Sequence, residues 1–62
     1  MRWVSIHDLS SRRRFFPVER VVQVVFVSKD DCRVFLTDGI EFAIDERNWE
    51  FLNVEIQQAS SR

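Results

Sequence analysis

Sixty-two residues allow one domain (1–62), and a chain this short buries only about 60% of its unfolded surface. A balance of 45% hydrophobic and 31% charged residues excludes disorder and points to an ordinary globular chain. The net charge of −1 is split: residues 1–20 hold five arginines against Asp8 and Glu19, giving +3, and the remainder carries −4, which excludes a surface that is basic overall.

One cysteine, Cys32, and one histidine, His7, leave no intramolecular disulfide and no zinc site of four Cys or His ligands. Small domains usually add such a staple, so self-association, as a homodimer, or a bound protein partner is expected to supply it here. No cofactor and no metal are expected. No run of apolar residues reaches transmembrane length, and the first 20 residues lack a signal-peptide stretch, so neither membrane nor leader is expected. A lone cysteine fits a reducing compartment, the cytoplasm of a cell or of an infected host.

The basic N-terminal segment, 1–17, opens with residues 1–6, read as a short strand or an arm. Asp8 or Ser10 can cap a short helix through Arg14, ended by Pro17, which disfavours helix at Phe16. Residues 18–28 are the surest strand, six of the eleven being Val, a β-branched residue suited to the pleated sheet. A loop at Lys29–Asp31 leads into a second strand, 32–37. Asp38-Gly39 is the clearest turn signal. A third strand follows at 40–44.

Register follows from burial. A two-residue loop at Asp38-Gly39 would pair Leu36 with Glu41. A three-residue loop, Thr37-Asp38-Gly39, puts Gly39 at the left-handed position and pairs Leu36 with Ile40, Val34 with Phe42 and Cys32 with Ile44, all apolar, and is preferred. A matching loop at Lys29–Asp31 pairs Phe26 with Val34 and Val24 with Leu36. The core face then holds Val22, Val24, Phe26, Cys32, Val34, Leu36, Ile40, Phe42 and Ile44.

The opposite face carries a stripe of Val21, Val25, Val27 and Phe35 where a solvated face should be polar. It is expected to be covered by the N-terminal segment (Trp3, Ile6, Leu9), by a second copy or by another partner. Asp45 caps a helix from Glu46 to about Asn53. Val54 and Ile56 then begin an edge strand, and residues 57–62 form a frayed polar tail. The fold class is α+β: a small antiparallel three- to four-stranded β-meander with one or two short helices.

No catalytic set assembles. His7-Asp8 is an adjacent pair without a nucleophile and reads as surface or capping residues. Cys32 on the core face reads as a small hydrophobe. The single glycine excludes a glycine-rich phosphate loop. The chain therefore reads as non-enzymatic. Arg12-Arg13-Arg14 followed by Phe15-Phe16 suits phosphate or carboxylate, with an aromatic to stack, but also a solvated helix end; three arginines are few for tracking phosphates.

The stretch Val34–Asp45 resembles the strand–Asp-Gly–strand segment of several unrelated families, among them small bacterial domains of unknown function and the LytTR-type DNA-binding domain. It spans twelve of the 62 residues, and the basic loops that the latter family uses on DNA are missing. The resemblance implies a hairpin and no more.

The expected function is a small protein-binding regulator or inhibitor of the kind found among phage and mobile-element accessory proteins. It would act through an apolar and aromatic surface: Val25, Val27, Phe35, Trp3 and Phe15. The alternative is nucleic-acid binding through Arg12, Arg13 and Arg14.

Overall fold

The computed structural model describes residues 2–60. Five strands and one helix follow in order: β1 (Trp3–His7), β2 (Arg13–Pro17), a 3-10 turn (Val18–Arg20), β3 (Val21–Ser28), β4 (Asp31–Leu36), β5 (Glu41–Ile44) and α1 (Glu46–Ser60). They form two antiparallel sheets, the hairpin β1-β2 and the meander β3-β4-β5, so the small α+β class stands. The fourth strand does not join the meander; β1 pairs with β2 instead.

The expected helix between Asp8 and Arg14 is a hairpin turn and a strand. Asp8 does accept the free N–H groups that a cap would, but those of a turn: its Oδ1 takes Ser10 N and Arg12 N, both at 2.9 Å. Ser11 sits at φ 64°, a left-handed value that ends any helix there. From Arg13 the chain is extended, and Phe16 turns inward while Phe15 turns out. In β1, Val4 and Ile6 are buried and Trp3, Ser5 and His7 are exposed. Met1, expected in the first strand, lies outside the described residues.

The β4–β5 register is the one the three-residue loop requires: Val34 opposes Phe42 and Cys32 opposes Ile44. Gly39 N donates to Leu36 O and Leu36 N to Ile40 O, with Gly39 at φ 85°. The β3–β4 register differs from expectation. Ser28 pairs with Asp31, so only Lys29 and Asp30 form the loop, and Val24 opposes Val34 and Phe26 opposes Cys32. That is a slip of two, which preserves which face each residue occupies. β3 also holds an extra residue at Val22 and another at Val27, where the ladder shifts. Val22, on the bulge, is exposed instead of buried, as are Phe26 and Ile40 at the rim of the core face.

The core joins Val4, Ile6, Phe16 and Val18 from the N-terminal half to Cys32, Val34, Leu36, Phe42 and Ile44, closed by Leu52. Leu9 N donates to Ala43 O across the two sheets, while Val18 N to Arg2 O extends the β1–β2 hairpin and Thr37 N to Arg20 O extends the β3–β4 ladder. The N-terminal hairpin therefore packs into the core and does not cover the second face of the meander. There Val25 and Val27 are exposed and Phe35 is half-buried, whereas Val21, expected on the same stripe, opposes Leu36 and packs against the core because the bulge at Val22 reverses its face.

The helix α1 starts on its expected cap, Asp45 Oδ1 accepting Asn48 N at 2.9 Å. It does not stop at Asn53. With no Gly or Pro from Glu46 to Ser60, Trp49, Leu52, Ile56 and Ala59 keep the three-and-four spacing and pack on the core, which overrides the short alternation at Val54–Ile56. Neither an edge strand at Val54–Ile56 nor a frayed segment at 57–60 is present. Ser61 and Arg62, the rest of the expected tail, lie outside the described residues. No helix of the described residues is long and apolar enough to cross a membrane.

Candidate protein-binding surfaces

Strand alternation puts Trp3, Ser5 and His7 of β1 and Arg13 and Phe15 of β2 on the outer face of the hairpin. The Trp3 and Phe15 rings stack, centroids 4.9 Å apart at 24°, yet Trp3 remains 51% and Phe15 66% exposed. Beside them lies a groove of about 270 Å³. Phe16, Leu36 and Phe42 contribute buried carbon to its lining, and Trp3, Phe15 and Ile40 contribute exposed carbon. Arg14, Arg20 and Asp38 are its polar members.

The groove is held from behind. Arg14 Nε donates to Asp8 Oδ2 at 2.9 Å, and its guanidinium carbon lies 5.0 Å from the Phe42 ring centroid. Asp8, whose side chain is 4% exposed, thus accepts from the turn and from Arg14 together. The Arg12 N–H, helped by Arg14 and Ser10, holds its carboxyl below the usual carboxylate value against the opposing effect of burial. Arg20 Nη1 lies 3.6 Å from Asp38 Oδ2, an exposed and loose pair.

The three arginines do not form one patch. Arg12 is in the turn, Arg13 points outward with its Nε on Ser5 Oγ at 3.1 Å, and Arg14 turns inward to Asp8. Arg2 lies elsewhere, bonded to Glu55 Oε1 and Gln58 Oε1 of α1. His7 and Asp8 are not a pair: the Asp8 oxygens face the turn and Arg14, and the His7 backbone N–H donates to Asn48 Oδ1. Cys32 is 1% exposed; burial, then the Asp31 carboxylate, pushes its thiol pKa up, against thiolate formation. Among the described residues no three His, Cys, Asp or Glu side chains form a group that would hold a metal ion.

Of the five residues expected to bind protein, Trp3 and Phe15 come together at the groove, and Val25, Val27 and Phe35 lie apart from them on the meander. Val22 and Phe26 of β3 are exposed too, but Phe26 lies on the core side, its ring edge-on to Trp49 of α1 at 4.9 Å. Sequence reasoning missed Ile40, Pro17 and Arg20 as groove residues. Face parity put Ile40 in the core, and its place at the start of a strand, where few neighbours surround it, was the signal against that. The chain matches no protein-family model, no curated protein and no solved structure.

Proposed function

We propose that the chain is a non-enzymatic protein-binding module, a regulator or inhibitor, whose partner seats a large apolar side chain in the groove beside Trp3 and Phe15. The observation that carries this is the stacked, half-exposed Trp3–Phe15 pair above an apolar recess in a chain whose core is already complete without it. Exposed aromatic carbon next to a concave apolar floor is what a partner's anchor residue fills, and Trp is over-represented among such energetic centres. The buried free Cys32 fits a reducing compartment, and the cytoplasm is the one proposed. The comparison with phage and mobile-element accessory proteins is one of class alone.

The test is selection of peptides from a random display library on the immobilised chain, followed by calorimetric titration of the winners. Winners are expected to share an aromatic or long aliphatic anchor and to weaken at least tenfold, about 1.4 kcal/mol, on Phe15→Asp. Peptides that bind Phe15→Asp and Trp3→Ala as well as the unchanged chain overturn the groove reading.

One observation favours a second reading, nucleic-acid binding: Arg13 shares the outer hairpin face with Trp3 and Phe15, a guanidinium beside rings on which a base stacks. That reading expects single-stranded oligonucleotide binding that falls with salt and is lost on Arg13→Ala.

A further inference from the structure

Asp8 is the one buried charged residue among those described, and its two oxygens have different tasks. Oδ1 accepts Ser10 N and Arg12 N, both at 2.9 Å, and so closes the hairpin turn. The backbone closes the same turn a second time, Asp8 N donating to Arg12 O and Ser11 N to Asp8 O. Oδ2 takes no part in the turn. It accepts Arg14 Nε at 2.9 Å, and Arg14 lines the groove while Asp8 does not.

An arginine left to itself keeps its guanidinium in water along an apolar surface. Arg14 is held otherwise. Its side chain is only 30% exposed, and its guanidinium carbon lies 5.0 Å from the Phe42 ring centroid. Phe42 in turn packs on Phe16, centroids 5.6 Å apart, and both rings line the groove. Drawing a guanidinium out of water against rings carries a desolvation cost, which the Asp8 carboxylate offsets.

We propose that Asp8 is the positioning residue of the groove: its Oδ2 pins the Arg14 guanidinium over Phe42, so that the wall beside the Phe16–Phe42 floor is set before a partner arrives. This rests on the groove being the binding site. A wall fixed in advance spares the complex the ordering of one long side chain. Asp8 acts on a partner only through Arg14.

Two near-isosteric substitutions separate the two oxygens. Asp8→Asn keeps an oxygen for the turn, because the opposite orientation would give up two backbone donors to keep one side-chain donor. Its NH2 then faces Arg14 Nε, donor against donor. Arg14→Gln keeps an N–H donor for Asp8 but removes the guanidinium from Phe42. In the unchanged chain, nuclear magnetic resonance is expected to show a slowly exchanging Arg14 Nε–H with Overhauser contacts to the Phe42 ring. Asp8→Asn is expected to abolish that signal, with the circular dichroism spectrum and the exchange of the Ser10 and Arg12 amides unchanged. A peptide selected on the unchanged chain is expected to bind Asp8→Asn about fivefold more weakly, the ordering cost of one long side chain. Arg14→Gln is expected to weaken it to a similar degree, and the double variant no further.

An Arg14 Nε–H that exchanges as fast as that of Arg13 in the unchanged chain overturns the inference. So does a peptide affinity unaltered by Asp8→Asn, or an equal loss on Asp8→Asn in the Arg14→Gln background, which places the effect in the turn. Should Asp8→Asn fail to fold, Arg14→Gln decides, and full affinity in that variant overturns the pin. If no peptide binds the unchanged chain, the groove reading fails, and the Nε–H signal alone decides the pin: loss on Asp8→Asn upholds it and persistence overturns it.

Discussion

Gly39 shows how one residue sets a local structure. Its φ of 85° lies where side chains are disfavoured, but a Cβ built there would meet nothing within 4 Å. Gly39→Ala therefore isolates the backbone cost of the left-handed conformation, and a loss of about 1 kcal/mol is expected from chemical denaturation. Asp8 is the corresponding residue in the other hairpin. Its folded-state pKa is lowered, so its contribution to stability is complete above the unfolded carboxylate value of about 3.9 and is lost as pH falls through the lower, folded value. Asp45, lowered by the Asn48 N–H at the start of α1, acts in the same direction and the same acid window. Thermal melts of Asp8→Ala against the unchanged chain are expected to show a lower Tm at neutral pH, with a difference that shrinks as pH drops below about 4.

At the scale of elements, α1 closes the core through Leu52, which is fully buried. Truncating such a leucine to alanine costs about 2–5 kcal/mol. A 62-residue domain has only about 3–9 kcal/mol in total at 0.05–0.15 kcal/mol per residue. Leu52→Ala is therefore expected to remove most of the stability and to leave a substantially unfolded fraction by circular dichroism at 37 °C. Elements with a strong period were legible in the sequence: the valine-rich β3, the β4–β5 hairpin with its loop type, and the Asp45 cap. The β1–β2 hairpin was half legible. Val4 and Ile6 alternate cleanly, but Arg13 and Arg14 hide the pairing strand, and Asp8 offers the same acceptor to a turn as to a helix. The C-terminal half of α1 was missed because three alternating residues, Val54–Ile56, outweighed the longer three-and-four spacing that tertiary packing rewards.

At the scale of the whole molecule, the sequence carried the surplus of apolar side chains but not their distribution. Which face the N-terminal segment covers depends on contacts between distant residues, Leu9 with Ala43 and Phe16 with Phe42, that no local pattern encodes. Those contacts leave two apolar surfaces, the Trp3–Phe15 groove and the β3 edge, on different parts of the fold. Phe15→Asp is expected to abolish peptide binding at the groove with an unchanged circular dichroism spectrum. The most direct test of the groove is a titration of the isotope-labelled chain with a selected peptide, followed by amide chemical shifts. Perturbations concentrated at Trp3, Phe15, Arg20 and Ile40 are expected. Saturable binding with shifts elsewhere, or a display selection that yields no binder, would contradict partner docking at this site.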